Sequence, residues 1–316
     1  MSPIVKWSAF VAMAGFLFGF DTAVISGADK PIQELWGLSD LQHGLFIMSM
    51  ALWGTVLGAI FGNWPTDRLG RRTTLFIIGV LYFVSAVGSA LATDPFWFSF
   101  FRLIGGFGVG MSSVAAPAYI SEIAPAERRG NLVALYQFNV VFGIFMAYVS
   151  NAILGSLLGN DAWRWMVGIE AIPALVYTLA LLKVPESPRW LILNRNDTRA
   201  AAKVLDQIDP HRDNQAQIEE IQAADREDSK VHSRFFSRRY RLPIVLAFLI
   251  AFFNQFTGIN FVLYYAPRIL ESAQLGGNAA LLSTAGIGLI MVIFTMIGMS
   301  LIDRFGRRTL MYIGSG

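Results

Sequence analysis

Apolar residues along this chain come in long unbroken blocks rather than in the stripes of a soluble amphipathic helix. Eight blocks, at roughly 7–28, 44–66, 73–93, 95–121, 130–160, 163–182, 242–267 and 279–302, carry almost no charge. Runs of about 18 such residues or more are long enough to cross a hydrocarbon core of about 30 Å as helices. Lipid offers no partner to backbone N–H and C=O groups, so only helices and closed barrels span it. Blocks this long exclude the short alternating strands of a barrel, and the pattern predicts an all-α membrane protein. Some blocks exceed the bilayer thickness, so their ends extend into loops or the helices tilt. A ninth apolar run starts at Leu310 and reaches Gly316, too short to cross.

The segment 185–240 breaks the pattern. It is polar, and 197–208 and 214–226 suit short surface helices, the first capped by Asp197 or Thr198 and favoured by Ala200, Ala201 and Ala202. The chain therefore divides into a six-helix bundle (1–184), a helical linker (185–240) and a partial second bundle (241–316).

Composition agrees with a membrane assignment. Of 316 residues, 54% are hydrophobic and 15% charged, against roughly 25% charged in soluble domains. With no cysteine, disulfides and thiol chemistry are excluded. The first block contains an acid and lacks a small-residue cleavage site, which makes it a retained helix rather than a signal peptide. The net charge of +3 belongs to loops; no basic–aromatic stretch points to nucleic acid. Of the 25 Lys and Arg, 21 fall on one side of the predicted helices, with Lys30, Arg164 and Arg268 on the other and Arg102 inside a helix. By the positive-inside bias the amino terminus and the linker are cytoplasmic.

An internal repeat supports the division. Asp67-Arg68-Leu69-Gly70-Arg71-Arg72-Thr73 recurs 236 residues later as Asp303-Arg304-Phe305-Gly306-Arg307-Arg308-Thr309, with six of seven residues identical, and Gly62 and Gly298 stand five positions before each aspartate. The half-repeat is then six helices in parallel orientation. A complete two-bundle molecule would need about four further helices.

The pattern Gly-x-x-x-x-Asp-Arg-x-Gly-Arg-Arg resembles the signature loop of the major facilitator superfamily. Within it the chain resembles the sugar porters, on Gly19-Phe20-Asp21-Thr22-Ala23-Val24-Ile25-Ser26-Gly27, Arg102-Leu103-Ile104-Gly105-Gly106, Tyr119-Ile120-Ser121-Glu122-Ile123-Ala124-Pro125, Arg129-Gly130, Pro185-Glu186-Ser187-Pro188-Arg189-Trp190 and Asn254-Gln255-Phe256-Thr257-Gly258-Ile259-Asn260. The resemblance covers essentially the whole chain and includes proton-coupled xylose members and glucose facilitators. It implies the major facilitator fold, here a complete first bundle and part of a second.

Asp21 and Arg102 are the clear acid and base at mid-helix in the first five blocks. Charge inside a membrane is costly and faces a partner or a wet cavity. A carboxylate balanced between burial and a nearby arginine can bind and release a proton; a fixed structural pair is the plainer alternative. The resemblance assigns Asp21, Arg102 and Glu170 to proton coupling, although Glu170 can also be an outer residue near Arg164. Sugar hydroxyls donate and accept hydrogen bonds, as neutral amides do. Gln137, Gln255 and Asn260 match the family's sugar-binding amides. Asn254 stands where the family usually carries Gln. Phe18 either faces a sugar ring or packs. Tyr264 and Tyr265 resemble an external gate. Gly258 either breaks its helix beside a cavity or serves close packing. Asp67, Arg71, Glu122, Arg129, Glu186 and Arg189, with Asp303 and Arg307 of the second copy, read as a cytoplasmic charge latch.

No nucleotide loop, metal cluster or catalytic triad appears, and His43, His211 and His232 are scattered. Neither an enzyme nor a cofactor is expected. The expected partners are a monosaccharide, protons and the lipid bilayer of a plasma membrane, that of a bacterial cell above all. Proton-coupled uptake of a pentose or hexose is the leading reading. A passive facilitator, a non-transporting sugar sensor and an inactive fragment are the alternatives.

Overall fold

Every predicted block folds as a helix long and apolar enough to cross a membrane. The structure is a computed structural model and describes residues 3–125, 128–210, 213–230 and 240–315, without the side chains of 160, 228–230, 303, 304, 307, 308, 310, 311 and 315. The first six spans are α1 (Pro3–Leu35), α2 (Asp40–Phe61), α3 (Arg71–Leu91), α4 (Pro95–Ile123), α5 (Arg129–Leu158) and α6 (Ala162–Leu181). Three linker helices follow: α7 (Pro188–Leu193), α8 (Thr198–Ile208) and α9 (Asn214–Lys230). The chain then forms α10 (Arg241–Ser272) and α11 (Gly277–Ser315).

Local chemistry sets the helix ends. Asp94 caps α4, its carboxylate accepting from the N–H groups of Phe96 and Trp97, with Pro95 at the first helical position where no N–H is needed. Ser39 and Gln42 form a capping box at the start of α2, which then passes through a π-helical turn at His43–Met48. The expected end of α1 near residue 28 is corrected: the helix runs on to Leu35 and carries Asp29 and Lys30 with it. Their charges do not end it because both find partners.

The core of the first six helices gathers Val11 and Leu17 of α1, Ile78 and Tyr82 of α3, Tyr119 and Ile120 of α4, Tyr136 of α5 and Tyr177 of α6. Glycines let α2 and α4 approach backbone to backbone; a Cβ on Gly58 would collide with the carbonyl oxygen of Phe107. The outward faces of the spans carry Leu, Ile, Phe and Trp, a surface suited to lipid.

The linker helices are where the sequence places them, with Asp197 capping α8 by accepting from Ala200 N–H at 2.9 Å. Helix α7, capped by Ser187, is an addition. Ile192, Ala201, Leu205 and Ile218 form a small core of their own, while Val204 joins the main one. The linker is thus docked on the first six helices.

The last two spans pack unevenly. The first segment of α10, Arg241–Phe256, buries no residue. Gly258 then takes φ 76°, and the second segment, Ile259–Ser272, lies against α1. Helix α11 lies along α5. Gly306 takes φ 76° where its repeat partner Gly70 takes φ 98°, so the two copies of the loop share a left-handed glycine as well as a sequence.

Candidate functional site

Three ionisable side chains meet inside the first six helices. Arg102 of α4 donates through Nη1 to Asp21 Oδ1 of α1 at 2.5 Å and through Nη2 to the Asp21 carbonyl oxygen at 3.0 Å. Asp21, Arg102 and Glu170 are 2%, 1% and 1% exposed. Glu170 sits where α6 is interrupted, between Ala162–Gly168 and Ala171–Leu181. Pro173 lacks the N–H that would bond the Ile169 carbonyl, so the ladder breaks there. Glu170 lies on the same buried face of α6 as Trp163, Val167, Ala174, Tyr177 and Leu181, which directs it toward the charges of Asp21 and Arg102. The alternative pairing of Glu170 with Arg164 does not form; Arg164 donates to the carbonyl oxygens of Ala90 and Ala92 instead. Arg102 Nε and Glu170 Oε1 have no hydrogen-bond partner among the described residues. Tyr264 of α10 is buried over this group with Ile25, Phe98 and Trp163.

The amides are arranged differently. Gln137, Asn254 and Gln255 are exposed and Asn260 half-buried. Asn260 Nδ2 donates to Gln255 Oε1 at 2.7 Å across the break at Gly258, so the helix break aligns two amides five residues apart. Gln137 of α5 makes no hydrogen bond to them among the described residues. Phe18 packs against the main core. Tyr265 is half-buried, its ring 5.2 Å from that of Phe261.

On the linker side the charges converge on Arg71. Its guanidinium reaches Glu122 at 3.0 Å, Asp67 at 3.3 Å and the Thr66 carbonyl oxygen at 3.0 Å. The Glu186 carboxylate accepts from the backbone N–H groups of Arg71, Arg72 and Ser187. Burial pushes the Glu186 carboxyl above its ordinary range, against the opposite pull of those N–H groups and of the Arg71 charge. Gly70 is required here twice over: its φ is 98°, and a Cβ would collide with Glu186 Oε2. Trp190 of α7 donates to the Asp67 carbonyl oxygen at 2.6 Å. This network joins α3, α4 and the linker. Arg129 and Arg189, expected within it, are exposed beside Glu122 and form no ion pair among the described residues. The side chains of Asp303 and Arg307 lie outside the described residues, as do His211 and His232.

A model of the sugar (and other) transporter family matches residues 7–316. The chain belongs to the sugar porters of the major facilitator superfamily. It is 40% identical to a glucose transport protein of Synechocystis sp., over 98% of this chain and 68% of that protein. It is 37% identical to the arabinose–proton symporter of Bacillus subtilis, over 100% of this chain and 69% of that protein. A partially occluded, inward-open structure of the xylose transporter of Escherichia coli superposes with a TM-score of 0.86 at 34% identity, over 98% of this chain and 75% of that one. The chain spans about two thirds of the length of the curated relatives it matches. Membership makes it a multi-pass membrane protein, and a transporter rather than an enzyme.

Sequence reasoning missed two features of this sugar porter. One is a line of buried hydroxyls, Tyr82 to Ser112 at 3.4 Å and Ser112 to Tyr136 at 3.5 Å, below the charged group. The other is Asp29, eight residues beyond Asp21, paired with His43 and Arg268. A helix drawn through the charge at Asp29 would have put both aspartates on neighbouring faces of α1. Among the described residues no three His, Asp or Glu side chains gather as metal ligands.

Proposed function

We propose that this protein takes up a monosaccharide, a pentose or hexose, together with protons by alternating access. Its amino terminus and linker face the cytoplasm of a plasma membrane, that of a bacterial cell. The observation that carries this reading is the buried Asp21–Arg102–Glu170 group. One guanidinium balances one carboxylate, and a second unpaired charge in so dry a place is costly. The two carboxyls are therefore expected to hold one exchangeable proton, with Arg102 keeping the deprotonated Asp21 in place. The Gln255–Asn260 pair and Gln137 offer the donors and acceptors a sugar needs. Relatives named as an arabinose–proton symporter and a glucose transport protein support the substrate class. Arg71, Asp67, Glu122 and Glu186 hold the linker side of the first bundle as one body that moves whole.

The test is labelled-sugar accumulation in vesicles with an imposed proton gradient, wild type beside Asp21→Asn. The variant mimics permanent protonation. It should bind and exchange sugar yet fail to concentrate it. Accumulation by the variant would remove Asp21 as the coupling site; a wild type that equilibrates sugar but never concentrates it would make the protein a passive facilitator, and one that moves no sugar would make it a sensor or an inactive fragment. Orientation is tested by a single cysteine at Asp209, which should resist an impermeant thiol reagent added outside intact cells.

A further inference from the structure

On the side opposite the linker, one buried carboxylate ties three spans together. Asp29 of α1 is 1% exposed. Its Oδ1 meets His43 Nε2 of α2 at 2.6 Å, and its Oδ2 meets Arg268 Nε of α10 at 2.8 Å. Arg268 also donates through Nη2 to Gln33 Oε1 of α1 at 2.6 Å. The Lys30–Glu271 pair, 3.0 Å apart, joins the same two helices one position farther along α1. Asp29 lies two helical turns from Asp21, an axial rise of about 12 Å.

We infer that Asp29 is the pin of a charged gate, holding α10 against α1 while the side opposite the linker is closed, and that Arg268 is the part that leaves when it opens. The difference in burial carries this assignment. Asp29 and His43 side chains are both 2% exposed, whereas that of Arg268 is 35% exposed. Arg268 can regain water as it withdraws with α10. Asp29 stays behind on α1 and cannot, and an unpaired carboxylate there would oppose opening. His43, on a neighbouring helix of the same bundle, keeps one oxygen of Asp29 hydrogen-bonded after Arg268 has gone. His43 is the first residue of the π turn in α2 and is itself buried. The contact holds the one segment of α10 that packs on α1, since the preceding segment buries nothing.

The gate rests on the alternating-access reading but needs neither the proton nor a particular sugar. The chain has no cysteine, so Ser26→Cys, one turn inward of Asp29 and 4% exposed, reports opening through its rate of reaction with an impermeant maleimide added from the side opposite the linker. In that background Arg268→Gln should label about tenfold faster, within the usual size of such couplings. Arg268→Lys keeps the charge and should stay within about threefold of the parent. Asp29→Asn should also accelerate labelling, and Asp29→Asn with Arg268→Gln should be no faster than Arg268→Gln alone. An unchanged rate in Arg268→Gln, with its melting temperature preserved, would overturn the gate, as would single effects that simply multiply in the double variant. Accumulation assays on the same vesicles report coupling separately, so a failure of proton coupling leaves the labelling result readable.

Discussion

The two ends of this molecule use charge in opposite ways. On the linker side, Arg71, Glu122, Asp67 and Glu186 join α3, α4 and the linker, and every one of these bonds stays within the first half and its attached helices. On the far side, Arg268, Asp29, Lys30 and Glu271 cross from the first half to α10. Under the proposed gate, the same residue types build a rigid body at one end and a separable contact at the other. Partner location decides which. A bond inside one bundle is never broken as the bundles rock, so it can be buried and many-centred; a bond between bundles must come apart, so at least one partner keeps access to water.

That contrast is open to test, beginning with the largest effect. Arg71→Ala removes the shared partner of Glu122 and Asp67, in a site where Arg71 and Glu122 side chains are 14% and 12% exposed. It should cost about 3 kcal/mol of stability, measured by thermal unfolding in detergent, whereas Arg268→Gln should leave the melting temperature nearly unchanged. Equal losses at the two ends would erase the distinction between rigid body and gate. Gly70→Ala should cost about 2 kcal/mol, because φ 98° strains a Cβ that Glu186 already crowds; a variant as stable as the parent would show that the loop relaxes. Gln137→Ala and Gln255→Ala should each weaken sugar binding by about 1–2 kcal/mol, read by calorimetry, with no effect on melting temperature because both side chains are exposed. The smallest effect belongs to Lys30→Gln. Its side chain is 56% exposed, and exposed pairs are worth about 0–1 kcal/mol, so labelling at Ser26→Cys should rise by less than about threefold. A rise equal to that of Arg268→Gln would move the pin of the gate from Asp29 to Lys30.

Much of this was legible along the chain. Long uncharged blocks demand helices because lipid leaves backbone groups no other partner. The repeated Asp-Arg-x-Gly-Arg-Arg loop disclosed two equivalent halves, and the left-handed φ at both Gly70 and Gly306 shows why glycine recurs at that place. A mid-helix aspartate and arginine announced each other as partners, since neither is tolerable alone. Tertiary structure alone decided the rest. Whether Glu170 met the Asp21–Arg102 pair or Arg164 depended on which neighbours pack on its face of α6, and Arg164 is taken by the carbonyl oxygens of Ala90 and Ala92. The grouping of Arg71 excluded Arg129 and Arg189, which the same signature includes. His43 looked idle in the sequence, 14 residues from Asp29 and 225 before Arg268. Only the packing of three helices puts those side chains within hydrogen-bonding distance, because periodicity tells which face a residue occupies within its own helix and nothing about which helix comes to lie against it.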